Sequence, residues 1–386
     1  MDHDTTPALR RSTLGIHAGE GPREPGTPVV PPLVQSATFF WGDPADGELR
    51  YSRYLNNPNH LALAKKLAAL EGTEAALALA SGMAAMSMAL LAHVEAGSHI
   101  VASRYLYGAT QGLLSGELPR RGVTTTFVDP FQPGAWEAAI RPETRVLLME
   151  TPTNPSLRIL DPRPLAALAR SRGLVLVSDC TFASPTNFRG AAHGIDIVVQ
   201  SATKYLGGHS DLIAGTVAGS KAHVDRIIQV ARLYGPALDP HAAFLLDRGI
   251  RTLDVRMERH NRSALELARW FQGQAGVSRV IHPGLPDHPD HALASEILEG
   301  FGGMLSVVLE GGGEAADRFL SRLRVAMAAP SLGGVETLVS QPRHTSHAGL
   351  SVAEREAQGI PDGFVRISVG LEDVEDLKSD FASALG

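Results

Sequence analysis

Five short, almost unbroken apolar segments recur between residues 99 and 202, and they constrain the fold of this chain more than any other feature. They are HIVAS, VTTTFVD, TRVLLMET, GLVLVSD and DIVVQSA, and helical patterns such as PLAALARSRG separate them. Strands that are apolar on both faces are typical of parallel sheets covered by helices on each side. The sequence therefore predicts an α/β fold with a mostly parallel sheet, whose ligands bind at the carboxyl ends of the strands.

The chain divides into three regions by composition and period. The first 55 residues carry the proline-rich stretch PGTPVVPPLVQ and no sustained period, which predicts an extended arm that contacts a neighbouring subunit. Residues 56–250 hold the alternation of strands and helices and form the predicted large domain. The segment from Asp239 to Gly273 is predicted to be mainly helical, and residues 251–386 form a smaller C-terminal α/β domain with the strands GGMLSVVLEG and FVRISVGLED.

Composition and charge favour a small-molecule partner. The net charge of −6 is spread along 386 residues without a basic tract, so we expect no nucleic acid and no anionic membrane as partner. The uncharged stretch at 75–92 is mostly alanine and lacks the sustained apolarity of a membrane span. The single cysteine, Cys180, cannot form an internal disulfide, and the first residues lack a secretory apolar core, so we expect a reducing cytoplasm.

Polar side chains follow three of the predicted strands, at the point where each strand ends. RVLLMETPTNP places Glu150, Thr151 and Asn154 there, LVLVSDCTFASP places Asp179 and Thr181, and DIVVQSATKY places Ser201, Thr203 and Lys204. Each residue alone has an ordinary explanation, since an aspartate can cap a helix, a lysine can be solvated, and Gly207 and Gly208 can form a turn. Their joint placement at one edge of a sheet predicts a single pocket.

A lysine beside an aspartate and several hydroxyls in such a pocket suits Schiff-base chemistry. Partial desolvation makes the ammonium group lose its proton more readily, and the neutral amine is a nucleophile. Pyridoxal 5'-phosphate requires such a lysine, a carboxylate facing its pyridine nitrogen, and donors around its phosphate. The residue types at these strand ends match that requirement.

Seven motifs, in the same order and with similar spacing, resemble the Cys/Met-metabolism (trans-sulfuration) family of pyridoxal-phosphate enzymes. They are YSRYLNNPN, ASGMAAM, ETPTNP, SDCTFASP, SATKYLGGHSD, SLGGVETLVSQP and VRISVGLED, and together they cover nearly the whole chain. The resemblance implies the aminotransferase-like fold, fold type I. It also implies a homo-oligomer in which a catalytic dimer is paired into a tetramer.

The resemblance implies a role for each motif. Lys204 would carry the cofactor as a Schiff base and shuttle a proton, Asp179 would pair with the pyridinium nitrogen, and Tyr107 would stack on the ring. The other implied cofactor contacts are Gly82, Met83, Asn154, Thr181, Ser201 and Thr203, joined by Tyr51 and Arg53 from the neighbouring subunit. The implied substrate contacts are Arg366 at the α-carboxylate, with Ser331, Glu336 and Arg50.

This chain departs from the commonest family pattern at positions that bear on the substrate. Cys180 stands where Asn usually follows the aspartate, and we predict a buried thiol there; YSRYLNNPN holds one residue more than usual after Arg53. Arg50 and Gly112 replace an acid and an arginine of cystathionine-specific relatives, which disfavours a zwitterionic distal arm. Ala109 replaces the cysteine of methionine γ-lyases, and this disfavours strict methionine specificity.

The resulting hypothesis is γ-elimination or γ-replacement on a sulfur amino acid or a homoserine ester. Glu336 favours this γ-chemistry, since the resemblance implies a residue of this type in γ-acting members, where the classical bacterial β-lyase has a hydrophobic one. The alternatives are a cystathionine or cysteine β-lyase, a non-catalytic cofactor-binding paralogue and, from another class, a nucleotide-binding sheet, which YLGGHSD does not match.

Histidines outside these motifs do not indicate a metal. His282, His288 and His291 lie in IHPGLPDHPDH without the i, i+4 spacing of a helical zinc pair, so we predict a surface loop and no metal site. His344 and His347, in HTSHAG, are predicted either to line a substrate entrance or to pack within a loop.

Overall fold

The computed structural model describes residues 9–21, 23–41, 49–346, 348–349 and 351–386. The described residues form two sheets, each covered by helices. The strands are β1 Ala75–Leu79, β2 His99–Ser103, β3 Thr124–Val128, β4 Thr144–Glu150, β5 Val175–Asp179, β6 Ile197–Gln200, β7 Gly215–Gly219, β8 Val277–Ile281, β9 Met304–Leu309, β10 Met327–Ala328, β11 Leu338–Ser340 and β12 Phe364–Ser368. The helices are α1 Arg11–His17, α2 Pro58–Glu71, α3 Gly82–Leu91, α4 Gly108–Gly112, α5 Ala135–Ala139, α6 Pro162–Arg172, α7 Ser184–Asn187, α8 Lys221–Tyr234, α9 Pro240–Ile250, α10 Leu253–Phe271, α11 His291–Ile297, α12 Gly312–Arg322, α13 Val352–Ala357 and α14 Val374–Leu385.

The larger sheet confirms the predicted α/β architecture. Its strand order is β1-β7-β6-β5-β4-β2-β3, in which β2 to β6 pair in parallel, while β7 runs antiparallel to β1 and β6. Alternate residues of β4 enter two different cores, Leu148 on one face and Leu147 and Met149 on the other. The sheet is therefore buried on both faces, as unbroken apolar strands require.

Two strands of this sheet, β1 and β7, were not predicted. β1 consists of alanine and leucine only, and it begins the stretch at 75–92 that continues as α3. β7, GTVAG, is built largely from small residues because the chain passes close beneath the turn into α3: a Cβ at Gly215 would lie 2.1 Å from the Ser81 carbonyl oxygen. No helix among the described residues has the length and apolarity needed to span a bilayer.

The smaller sheet has the order β10-β11-β12-β9-β8 and is mostly antiparallel. Its core is formed with one face of α10, α12 and α14, through Phe271, Phe319 and Phe381. The strands β9 and β12 were predicted, whereas β8 and the very short β10 and β11 were not. The predicted helical segment from Asp239 to Gly273 is two helices, α9 and α10, and the predicted domain boundary at residue 250 coincides with the end of α9.

The N-terminal region is extended over most of its described length, but residues 11–17 form the helix α1 instead of the predicted extended chain. α1 forms because its end is tied to the main body: Lys66 Nζ on α2 donates to the Ile16 carbonyl oxygen at 3.2 Å. Further along, Asn59 fixes the extended segment by bonding Val34 N and the Pro32 carbonyl oxygen. The side chains of Phe40 and Trp41 are fully or largely exposed.

The prediction of a surface loop was wrong for two of the three histidines in IHPGLPDHPDH. His282 and His288 are buried, and His282 Nδ1 accepts the Gly284 N–H at 3.0 Å while the ring contacts Phe301 edge-on. These rings accept backbone N–H groups of a loop that is only partly buried. The described residues contain no group of three or more His, Cys, Asp and Glu side chains arranged for a metal ion.

Candidate active site

Lys204 lies in the loop after β6, at the carboxyl edge of the larger sheet. Its Nζ donates a hydrogen bond to Ser331 Oγ at 2.6 Å. Burial, followed by the positive charge of Arg366, lowers the pKa of Lys204 to about 8. The amine therefore loses its proton more readily than an ordinary lysine does, and in the neutral form it can act as a nucleophile or base.

Ser331 joins Lys204 to Arg366. The Ser331 backbone has φ 97°, a strained value for a residue other than glycine, and its carbonyl oxygen accepts Arg366 Nη2 at 3.1 Å. Arg366 lies on β12 and is buried, and its Nη1 donates to Asn154 Oδ1 at 3.0 Å. No carboxylate of the described residues pairs with this guanidinium, so its fork is suited to an anionic ligand.

Glu150, the last residue of β4, connects two loops of the site. Its Oε2 accepts the backbone N–H of Tyr107 at 2.7 Å, and its Oε1 accepts the backbone N–H of Asn154 at 3.0 Å. Burial, and secondarily the charge of Asp179, raise the pKa of Glu150 well above its usual range. Tyr107 thus lies at the N-terminus of α4, beside the end of β4, and the residue is 45% exposed.

Asp179 ends β5 directly opposite Glu150 in the parallel register of β4 and β5. Its Oδ1 accepts the Thr181 N–H at 2.9 Å, and burial raises the pKa of the carboxyl group. Thr181 Oγ1 in turn accepts the Ser201 N–H at 2.8 Å. These bonds hold the ends of β5 and β6 side by side.

The N-terminus of α3 is the last part of the predicted site. Ser81 caps the helix by accepting the Ala84 N–H at 3.0 Å, which leaves the N–H groups of Gly82 and Met83 in the first turn, where helices have no internal acceptors. A Cβ on Gly82 would lie 2.7 Å from Ser201 Cβ, so the helix terminus is packed directly against Ser201. Such a terminus beside a hydroxyl favours a phosphate.

The residues present fit pyridoxal phosphate. A lysine amine, a half-buried aspartate and a helix N-terminus with a serine hydroxyl are the groups that this cofactor requires, and a chain of contacts from Ser331 to Gly82 brings them together. One predicted donor is engaged elsewhere: the Thr203 hydroxyl donates to the Ala214 carbonyl oxygen at 3.2 Å and accepts the Ala214 N–H at 3.1 Å. Cys180 is fully buried, as predicted.

Four predicted site residues contact parts of this chain other than Lys204 and Arg366. Arg53 donates to the Arg232 carbonyl oxygen at 2.7 Å and lies over the ring of Tyr54. Tyr51 forms a β-bridge with Thr38, and the exposed Arg50 lies over the ring of Phe39. Glu336 accepts a hydrogen bond from Ser210, in the loop that follows Lys204. His344 is exposed 3.8 Å from Asp317, and His347 lies outside the described residues.

Two buried charged residues were missed as parts of the site. Glu150 was noted at a strand end but given no role, although its position opposite Asp179 was a usable signal. Arg256 on α10 donates to the carbonyl oxygens of Tyr205 and Gly249, both at 2.8 Å, and thereby fixes the turn after Lys204. Nothing in the sequence around Arg256 distinguishes it from the other cations of that helix.

The lysine, the aspartate and the helix terminus, at the carboxyl edge of this sheet, define a pyridoxal-phosphate enzyme of the aminotransferase-like fold. Residues 12–386 match the family described as Cys/Met metabolism PLP-dependent enzyme, and the chain belongs to that family. It therefore uses pyridoxal phosphate and acts on an amino acid.

Individual relatives agree over almost the full chain. Cystathionine gamma-synthase 1, chloroplastic, of Arabidopsis thaliana is 39% identical over 97% of this chain and 68% of its own length. L-methionine gamma-lyase of Fusobacterium nucleatum subsp. polymorphum is 39% identical over 97% of each chain. The structure of cystathionine gamma-lyase from Lactobacillus plantarum complexed with L-serine superposes with a TM-score of 0.93 at 35% identity, over 97% of this chain and 98% of that one.

Proposed function

We propose that this enzyme catalyses γ-elimination or γ-replacement on a sulfur amino acid or a homoserine ester. The observation that carries the proposal is the bond of Lys204 Nζ to Ser331 Oγ, on the same residue whose carbonyl oxygen accepts Arg366. A basic amine and a guanidinium group, which has no carboxylate partner among the described residues, therefore both contact one serine. The named activities of the relatives, γ-synthase and γ-lyase, support reaction at the γ-carbon.

The chain's own residues divide the work of the reaction. Arg366 binds the substrate α-carboxylate through two parallel N–H groups, which fixes the α-carbon near the Lys204 amine. Lys204, with a pKa of about 8, takes a proton from carbon and returns one. Asp179 would pair with the cofactor nitrogen, Tyr107 would cover the ring, and Gly82, Met83 and Ser201 would hold the phosphate. When bound, the cofactor supplies an electron sink for negative charge that develops at the substrate.

We propose a substrate whose γ-substituent is not zwitterionic, such as a homoserine ester or a short thioether. Arg50 is exposed and Gly112 has open space around it, so neither position offers the acid or the arginine that cystathionine-specific relatives carry. Glu336 lies beside the loop that follows Lys204, which supports its proposed place near the substrate.

The proposal includes a second copy of the chain that completes each site with Tyr51 and Arg53. Within one copy these residues contact Thr38, Tyr54 and Arg232, and not the Lys204 group, among the residues described. Exposed aromatic side chains at Phe40 and Trp41 provide an apolar surface for that copy. Pairing of dimers into a tetramer, and a cytoplasmic location, belong to the same proposal.

The test is a substrate panel with identified products. The purified protein is given O-acetylhomoserine, O-succinylhomoserine, methionine, cystathionine or cysteine, with and without an added thiol. From the four γ-substituted amino acids we expect 2-oxobutanoate, or a new thioether when thiol is present, and from cysteine, which has no γ-carbon, we expect no keto acid. We expect Lys204→Ala to lack both turnover and the violet absorbance of bound cofactor. Lys65→Ala, which changes an exposed lysine of α2, serves as the control. Pyruvate as the main product would instead establish a β-lyase.

A further inference from the structure

We propose that Glu150 is a positioning residue, which fixes the main chain of Tyr107 and links it to the Asn154–Arg366 pair. The inference deepens the proposed function and rests on it for the roles of Tyr107 and Arg366. Glu150 itself is placed to act through these neighbours, because its two carboxylate oxygens are occupied by their backbone N–H groups.

The geometry forms one continuous connection. Tyr107 N lies 2.7 Å from Glu150 Oε2, Asn154 N lies 3.0 Å from Glu150 Oε1, and Asn154 Oδ1 lies 3.0 Å from Arg366 Nη1. A single carboxylate thereby spans the loop before α4 and the loop after β4. It also connects Tyr107, which is proposed to cover the cofactor ring, to Arg366, which is proposed to bind the substrate carboxylate.

Tyr107 depends on this main-chain bond because packing does little to hold its side chain. Tyr107 is 45% exposed, and α4, which follows it, has only five residues. At the next residue, Gly108, a Cβ would lie 2.8 Å from the Ser346 carbonyl oxygen, so the backbone has little freedom to shift in that direction. Glu150 therefore fixes the position of the Tyr107 main chain, from which the ring extends.

A carboxylate at residue 150 cannot be replaced by its amide. Both oxygens of Glu150 accept an N–H group, whereas glutamine has one oxygen and an NH2 group, so one of the two backbone donors would face another donor. The side chain is buried, and solvent cannot easily supply the missing acceptor. Glu150→Gln is thus a nearly isosteric change that breaks one of the two links.

Asp380 provides a matched control. It is also a buried carboxylate that accepts backbone N–H groups, from Arg324 at 2.8 Å, Val325 at 3.1 Å and Ala326 at 2.9 Å. It lies on α14 of the smaller domain, and its partners are not in the site. Asp380→Asn therefore reproduces the loss of stability that follows from removing a buried acceptor. It leaves the bonds from Glu150 to Tyr107 and Asn154 intact.

The experiment compares both variants with the wild type by amide hydrogen exchange and by visible circular dichroism at saturating pyridoxal phosphate. In Glu150→Gln we expect faster exchange in peptides containing Tyr107 or Asn154, a weakened or inverted dichroism band of the bound cofactor, and kcat/KM lowered about 10- to 100-fold. In Asp380→Asn we expect faster exchange only around residues 324–326. Should Glu150→Gln not fold, Glu150→Asp keeps the carboxyl group but is too short to reach both N–H groups, so the same changes are expected.

The inference would be overturned if Glu150→Gln showed no faster exchange at Tyr107 or Asn154 than Asp380→Asn shows there, together with the same dichroism and the same kcat/KM as Asp380→Asn. A wild-type enzyme that binds the cofactor but converts no γ-substituted amino acid would overturn the proposed function instead. In that case hydrogen exchange and dichroism still decide the role of Glu150, because neither measurement requires turnover.

Discussion

At the scale of single residues, Lys204 shows how this site obtains a reactive amine. Burial removes water from the ammonium group, and the nearby guanidinium of Arg366 adds repulsion, so both causes lower the pKa, to about 8. The nearest hydrogen-bond partner, Ser331 Oγ, is neutral and does not stabilise the positive charge as a carboxylate would. The amine is therefore prepared for chemistry by its surroundings before any substrate arrives.

Arg366→Met should raise the pKa of Lys204. Removing a positive neighbour favours the protonated amine, so its titration midpoint should move upward from about 8 towards the ordinary lysine value, while burial keeps it from reaching that value. The measurement is the pH dependence of amine labelling at Lys204 in the cofactor-free protein, read by peptide mass spectrometry. Arg279→Met, on the exposed side of β8, should leave the midpoint unchanged. A downward shift in Arg366→Met would contradict the assignment of cause.

Ser331 should reveal its backbone strain in a pair of variants that both lose the hydroxyl. At φ 97° alanine keeps the strain and glycine relieves it, although glycine also makes the unfolded chain more flexible. We expect cofactor-free Ser331→Gly to be about 1 kcal/mol more stable than Ser331→Ala in urea unfolding. Equal stability, or greater stability of the alanine variant, would show that the local backbone relaxes.

The sequence predicted some of these residues better than others, for a physical reason. Asp179 and Lys204 were predictable because each follows an apolar strand, and parallel strands bring their carboxyl ends to one edge. The bonds of Glu150 and Arg256 were not, since they depend on which backbone N–H or carbonyl group lies opposite after packing. Periodicity contains no information about such pairings.

At the scale of elements, strands with apolar or β-branched runs were predicted, and strands with small or interrupted runs were missed. β2, β4, β5 and β6 have apolar runs and β3 is rich in threonine, whereas β7 contains two glycines and β11 is three residues long. In β8, Ser278 and Arg279 interrupt the apolar residues. The helix α1 was also missed, because what holds it lies outside its own sequence. Lys66 Nζ is 2.7 Å from Asp247 Oδ1 on α9, and Arg251 bonds both Asp247 and Glu20, which follows α1.

Lys66→Met should loosen α1 and lower the free energy of unfolding. Lys66 is 1% exposed, and its loss leaves the Asp247 carboxylate with Arg251 as its remaining partner. Breaking such a buried pair should cost about 2 kcal/mol, less than for a carboxylate left with no partner. Urea unfolding measures this cost, and hydrogen exchange of residues 11–17 measures the loosening. Lys65→Met, one residue earlier and exposed, should change neither, and an equal effect of both variants would refute the anchoring role.

At the scale of the whole molecule, the site lies where the two sheets meet. Lys204, Asp179 and Glu150 come from the larger sheet, whereas Arg366 comes from β12 of the smaller one, and the Arg366–Asn154 bond crosses between them. A relative movement of the two sheets would therefore change the distance between the amine and the carboxylate-binding guanidinium. This arrangement explains why the proposed chemistry needs both sheets. The domain limits given from the sequence stay a prediction.

A second copy of the chain should be required for activity, and mixing two inactive variants tests this. Arg53→Ala should lack the phosphate contact that one copy is proposed to give the other, and Lys204→Ala lacks the amine. If Arg53 acts across the interface, a mixed dimer has one site with both residues intact and one with neither. Because random exchange makes about half of the dimers mixed, co-refolding equal amounts should restore about a quarter of wild-type activity. If Arg53 served the site of its own chain, every site would lack one residue and the mixture would stay inactive.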